Sequence, residues 1–255
     1  SGGCPAAVHC LVLLVGLMVG MTGNEYLKRY IELQKKGWSG VRTSKTKRKA
    51  KYSRMWYNRY NDETEVLIAM RKNFGAKPWT YPQPVLMIAT YGEDGTPDVM
   101  NAAWGGISDD TQISICVSAD HKTTKNVLAR KAFTVSMAEA PYVKECDYVG
   151  IVSGNKEPDK FAKAGFHAEP SEFVDAPLIK ELRMAIECRL VSYDPETCRL
   201  VGEIVNVSAD EGVLGEDGTI DPNLLQPITF DPVHNAYRVI GEKVGNAFRD
   251  GLELK

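Results

Sequence analysis

Signatures that would assign a function at sight are missing from this chain. None of its six cysteines forms a CxxC pair, and none of its four histidines stands at a zinc-ligand spacing from a cysteine. No structural metal is therefore expected. No GxGxxG follows a strand-like run, and neither a Walker loop nor a GxSxG elbow occurs, which removes the commonest dinucleotide, P-loop and serine-hydrolase readings. Repeats and low-complexity segments are also absent. The longest apolar core, Leu11 to Met21, is shorter than the roughly 20 residues a bilayer demands. It lacks the basic lead and the small-residue cleavage site of a secretory signal.

What is present is unevenly charged. Residues 1–69 carry 12 Lys and Arg against 5 Asp and Glu, which leaves 19 against 28 of the chain's 31 and 33 for residues 70–255. An acidic body argues against nucleic acid as a partner, because phosphate backbones call for a positive surface. Residues 1–69 read as an apolar stretch followed by a basic one, "RTSKTKRKAKYSRMWYNRY", with little core periodicity. A weak membrane anchor with a cytoplasmic basic flank, a basic arm for an anionic partner, and an extension outside the natural mature protein all fit. The third is favoured, with Met70 as a natural start, a poorly ordered 1–69 and a membrane role not expected. Cys116 and Cys188 sit in strand-like runs and are expected to be small buried thiols. Cys188 and Cys198 could face each other across a hairpin. Free thiols in a reducing, cytoplasmic setting are the preferred reading.

From Pro84 the texture becomes that of a β protein. "PVLMIATY" (84–91) is followed by an Asp-Gly turn signal in "EDGTP", then by "DVMNAAWGGIS" (98–108) as a returning strand. In "QISICVS" (112–118) the alternation Ile113, Ile115, Val117 marks one buried face. A helix is expected near 124–131, a strand at 133–138, and two short helices within 141–165. The plainest hairpin is 185–210, two strands joined by "DPET" with Pro in the second turn position. Many short strands with small helices between them predict a mainly β fold, a closed or nearly closed antiparallel barrel that hides its strand edges.

Residues 119–126, "ADHKTTKN", lie between a strand and a helix. Thr123 or Thr124 would serve as an N-cap, but Lys122 and Lys125 oppose the helix dipole there. An anion bound at the helix start would remove that conflict. In "NAAWGGIS", small residues and glycines either mark a bulge or let a flat molecule approach the backbone. A flat ring beside 101–106 with its phosphate at 121–126 describes a mononucleotide such as FMN.

Six landmarks, "YPQPVLMIATY", "DVMNAAWGGISDD", "DHKTTKNVLARKAFTVSMA", "SGNKEPDKFAKAGF", "LIKELRMAIECRLV" with "VGEIVNV", and "YRVIGEKVGNAFRDG", stand in one order over about 78–251. Together they resemble the flavin reductase-like family of FMN-binding split barrels, and its flavoredoxin-like branch in particular. The resemblance implies an antiparallel split β-barrel with short peripheral helices over 70–255, dimeric, with FMN near the subunit interface. It places Asn101, Ala102, Ala103 and Trp104 beside the flavin ring or ribityl chain. His121, Lys122, Thr123, Thr124 and Asn126 would surround the phosphate, with Ser153 and Gly154 at the flavin edge and Lys160 nearby. No catalytic side chain is singled out. The implied activity moves electrons from NAD(P)H through FMN to a flavin or redox-protein acceptor. The alternative is an FMN electron carrier without direct NAD(P)H activity. Replacing Thr123 and Thr124 by alanine is expected to weaken FMN binding while leaving the barrel folded.

Overall fold

The computed structural model describes residues 71–255. The chain divides into two compact units, Ser1–Ala76 and Lys77–Lys255, and the second carries the fold. The sequence reading of 1–69 lies outside the described residues. Among those described, no helix is long and apolar enough to cross a membrane.

Eleven strands and four α-helices make up the described chain. The strands β1 (Leu86–Tyr91), β2 (Pro97–Ala102), β3 (Gly105–Asp109), β4 (Gln112–Cys116) and β5 (Ala132–Met137) lie in the first half, with helix α1 (Lys122–Arg130) before β5. Helices α2 (Val143–Ile151) and α3 (Lys160–Lys163) precede a small hairpin of β6 (Ala168–Pro170) and β7 (Pro177–Ile179). The long hairpin is β8 (Met184–Asp194) with β9 (Arg199–Ala209), and α4 (Pro222–Leu225) leads into the β10 (Ile228–Asp231) and β11 (Ala236–Val239) hairpin.

Seven strands form one antiparallel sheet in the order β2-β1-β5-β8-β9-β4-β3. Its two edge strands, β2 and β3, are consecutive in the chain and joined only by Ala103 and Trp104. A flat sheet of seven strands would separate its edges by about 29 Å, whereas the three peptide units from Ala102 to Gly105 reach at most about 11 Å. The sheet must therefore curl until its edges meet at residues 102–105, which is the split barrel. Register shifts in the β8–β9 ladder, between Glu187 and Cys188 and between Leu190 and Ser192, add the local twist that such curling needs. The run 98–108, expected as one strand, is thus two strands on opposite edges. Gly105 makes the junction possible, because a Cβ there would lie 2.9 Å from the Ser114 carbonyl oxygen and 3.1 Å from the Ile115 Cα. What approaches this glycine is strand β4; at Gly106 nothing lies within 4 Å of an added Cβ.

Alternation along β1 explains two cores. Leu86 and Ile88 face the barrel interior with Ile113, Ile115, Phe133, Val135 and Leu200. Met87 and Ala89 face outward, where Val99, Cys146, Val149, Phe161 and Phe166 bury the helices α2 and α3 against the sheet. The same alternation corrects one expectation: with Ile113, Ile115 and Val117 inward, Cys116 is turned out and exposed. Cys188 is buried, and burial pushes its thiol up to about 12. It pairs with Ile204 in the ladder, while Cys198 sits in the β8–β9 turn with a left-handed backbone, so the two do not face each other.

Phe133 is fully buried, and its ring fills space that a Cβ on Gly202 would enter. Phe133→Ala is expected to lower the unfolding free energy by about 3–5 kcal/mol, measured by denaturant titration, with the midpoint falling at unchanged slope. A loss under about 1 kcal/mol would contradict this packing.

Candidate functional site

The helix start that the sequence singled out differs in detail from the expected capping. The N-cap of α1 is His121, extended at φ −64° and ψ 140°, and its side chain makes no capping bond. Thr123 and Thr124 lie inside the first turn instead. Their hydroxyls are donated into the protein, Thr123 to Asp98 Oδ2 at 2.6 Å and Thr124 to the Ser118 carbonyl at 2.8 Å. Both are buried, as is Asn126, whose amide donates to Thr90 Oγ1 at 3.1 Å. These three side chains dock the helix onto the sheet. At the other end of α1, Arg130 donates to the Gly92 carbonyl at 2.6 Å through Nη2.

The helix start therefore keeps its first-turn N–H groups without side-chain caps, where the helix dipole is positive. No acidic residue occupies that turn, and Lys122 and Lys125 flank it. The His121 Nδ1 atom is buried with no hydrogen-bond partner. Lys125 reaches Asn155 Oδ1 at 3.4 Å, and Asn155 in turn donates to the Asp120 carbonyl at 2.9 Å. The loop 153–155 is thereby laid against the helix start.

Beneath that loop lies a residue the sequence reading did not single out. Asp98, on β2, is 4% exposed. Besides the Thr123 hydroxyl, it faces the Lys160 amine at 3.7 Å. Lys160 is 3% exposed and donates to the carbonyls of Val149 at 3.0 Å and Val152 at 3.1 Å, at the C-terminal end of α2. Gly154 closes the cluster, since a Cβ there would fall 2.5 Å from Asp98 Oδ1 and 3.2 Å from the Lys122 Cβ. Lys122, Thr123, Gly154 and Lys160 are thus brought together around Asp98, while Ser153 is exposed beside them. The signal available in sequence was a lone carboxylate within a strand-forming run, "PDVMNA", but turn residues and strand carboxylates look alike there.

The remaining predicted residues follow β2 away from Asp98. Asn101 donates to the Cys146 carbonyl at 3.0 Å and packs so closely on α2 that a Cβ on Gly150 would lie 2.4 Å from its amide nitrogen. Nearby, Tyr237 donates to Asp147 at 2.7 Å, and burial followed by that carboxylate pushes the phenol up to about 12. Ala102 turns into the barrel core, Ala103 is half-buried and Trp104 is 58% exposed. Ala103, Trp104 and Gly105 line a cleft of about 510 Å³ together with residues 77–80 and 82–84. Asp98 and Ala103 are five residues apart along extended chain, about 17 Å. The strand thus spans from the basic helix start to an aromatic-walled cleft. His167 and His234 stand apart, exposed and paired with Glu181 and Asp231.

The sequence pattern of the family described as "Flavin reductase like domain" matches residues 79–232. Flavoredoxin of Desulfovibrio vulgaris (Miyazaki F) is 39% identical, covering 71% of this chain and 100% of its own, with a TM-score of 0.69. Flavoredoxin from Methanosarcina acetivorans is 25% identical, covering 73% of this chain and 100% of its own, with a TM-score of 0.66. The FMN-binding domain of a flavin reductases-like enzyme from Shewanella baltica OS155 shares the fold at 17% identity and a TM-score of 0.58, covering 64% of this chain and 89% of its own.

Burial pushes the Lys160 amine below the ordinary lysine range, with Asp98 pulling it back up. The folded protein therefore holds that proton less tightly than the unfolded chain. Its contribution to stability rises with pH from the lowered folded value up to the ordinary lysine value of about 10.4. Lys160→Met is expected to cost about 3–5 kcal/mol at neutral pH by leaving Asp98 buried and unpaired. It should also remove that alkaline rise when unfolding free energies of the two proteins are compared across the window. A mutant whose stability tracks the wild type at every pH would contradict the cluster.

Proposed function

This chain belongs to the flavin reductase like domain family, and on that premise we propose that it is an FMN-binding redox protein. In this reading it passes electrons from NADH or NADPH, through FMN, to a flavin or a redox-protein acceptor. The observation that carries the reading is the uncapped, lysine-flanked start of α1, joined by β2 to the cleft at Ala103 and Trp104. The orphaned His121 Nδ1 and the absence of any first-turn acid fit a phosphate dianion. The exposed Trp104 beside small residues fits a flat ring.

When bound, FMN supplies the hydride-accepting and electron-passing chemistry. The chain's own residues bind and orient it. First-turn N–H groups of α1, with His121, Lys122 and Lys125, hold the phosphate. Thr123, Thr124 and Asn126 act one step back, fixing the helix against Asp98, Ser118 and Thr90. Removing the Thr123 hydroxyl therefore also takes a bond from a buried carboxylate, a stability cost of about 1–3 kcal/mol that the sequence reading left out. Gly154 and Ser153, expected at the flavin edge, stand instead beside the start of α1 and border the phosphate end in this reading. Asn101, Ala103 and Trp104 border the ring, while the Ala102 side chain is spent in the barrel core. Lys160 belongs to the support of this site, since its amine is committed to Asp98 and two carbonyls. A homodimer and a cytoplasmic place of action belong to the same reading. Exposed Ile107, Val191 and Val207 on the sheet support the first, and four free cysteines among the described residues support the second.

A second reading, an FMN electron carrier without direct NAD(P)H activity, is favoured by the 39% identity to a flavoredoxin along that protein's whole length. The visible spectrum under nitrogen separates them. Flavin bands that fade within seconds of adding NADH or NADPH identify a reductase and its donor. Bands that persist with both and bleach with dithionite identify the carrier. A protein that neither carries nor takes up FMN would overturn both.

A further inference from the structure

The cleft beside Trp104 contains one polar side chain whose bonding is unmet. Gln83 lines it, is 5% exposed, and has an amide oxygen that is buried without a hydrogen-bond partner. Such a group costs about 1–3 kcal/mol when left unsatisfied, and native proteins rarely keep one without a use. Its main chain has no freedom to carry it elsewhere. The Gln83 N–H donates to Thr229 Oγ1 at 2.9 Å, and its carbonyl accepts from the Thr229 hydroxyl at 2.7 Å and from the Phe230 N–H at 2.8 Å. Two residues earlier, the Tyr81 hydroxyl donates to Asp231, a buried carboxylate that also accepts from Arg238 Nε at 2.8 Å. Segment 81–84 is therefore fastened to the β10–β11 hairpin on both sides of the amide.

Apart from Lys77 and Thr80, the rest of the lining is apolar and includes Pro78, Trp79, Pro82, Pro84, Ala103 and Trp104. A lone primary amide among such walls is suited to one kind of ligand edge. It carries an acceptor and a donor side by side, and pairs with a ring bearing C=O and N–H in the same arrangement, as Asn and Gln pair with adenine in two hydrogen bonds. We propose that Gln83 is a specificity-determining residue that reads the amide edge of a flat heteroaromatic ligand in this cleft. The inference rests on the FMN reading and extends it. Two ligands of that reading offer the edge, the pyrimidine end of the flavin ring and the carboxamide of the nicotinamide.

The test uses Gln83→Leu, close in size but unable to bond, with Gln83→Glu as a second variant that keeps polarity and loses the donor. Wild type and variants freed of flavin are titrated with FMN and with N3-methyl FMN by fluorescence quenching. The FMN-loaded proteins, their flavin first reduced under nitrogen, are titrated with NADH by calorimetry. If the edge belongs to the flavin, Gln83→Leu binds FMN about 10-fold more weakly and no longer distinguishes FMN from the N3-methyl compound, which wild type binds less well. If it belongs to the nicotinamide, FMN affinity holds and NADH affinity falls about 10-fold. In either case thermal stability without ligand is unchanged or higher, which a purely structural glutamine would not give. Variants within twofold of wild type for both ligands, while wild type binds FMN, overturn the assignment of Gln83 alone. A wild type that binds no FMN overturns the parent reading and this one with it.

Discussion

One buried carboxylate organises this site. Asp98 is buried on β2, where a lone charge would be prohibitively costly. Its Oδ2 accepts the Thr123 hydroxyl, while its Oδ1 has no hydrogen-bond partner and is met only by the charge of the Lys160 amine at 3.7 Å. Lys160 supplies the counter-charge and is itself buried, so its amine must be satisfied too; the last carbonyls of α2 do this. A cation at a helix C-terminus is well placed against the dipole. Thr123 supplies the hydrogen bond and thereby fixes the first turn of α1. Gly154 supplies absence, because no side chain fits between Asp98 and Lys122. Three stretches of chain distant in sequence, at Asp98, at Thr123 and over residues 149–160, are thus held at the point where α1 presents its uncapped end.

Curling of the sheet does the rest. With only two residues joining its edge strands, the sheet brings β2 and β3 together at Ala103 and Trp104. The seam leaves Trp104 exposed and opens the cleft against the segment that Tyr81 and Gln83 fasten to β10. In the proposed reading, the electrostatic and aromatic ends of the FMN site are then set by a single strand, whose length fixes their separation. Positioning is what a flavoprotein of this kind must provide, as the cofactor carries the reactivity.

Much of this was legible in the chain. The 184–209 hairpin follows from period-two alternation around an Asp-Pro turn, and α1 follows from its place between two strands. Exposed Cys116 was legible as well, in the same Ile113, Ile115, Val117 alternation that defined the core, but the general preference of cysteine for burial pointed the other way. Three features were not legible. The break of 98–108 into two edge strands depends on closure of the whole sheet, and Gly105 looks like any strand glycine until β4 lies against it. The roles of Thr123 and Thr124 depend on which way their hydroxyls turn, and a Thr-Thr pair before a helix reads as a cap regardless. Asp98 and Lys160 are 62 positions apart, and nothing local in either segment announces that they meet.

The central claim is that the start of α1 holds a phosphate. Its most direct test compares the affinity of the flavin-free protein for FMN and for riboflavin, which differ only in that group. The account predicts FMN binding at least about 10-fold tighter, as charge-assisted bonds of a few kcal/mol require, with the preference shrinking as salt rises. Equal affinities for the two flavins would contradict it.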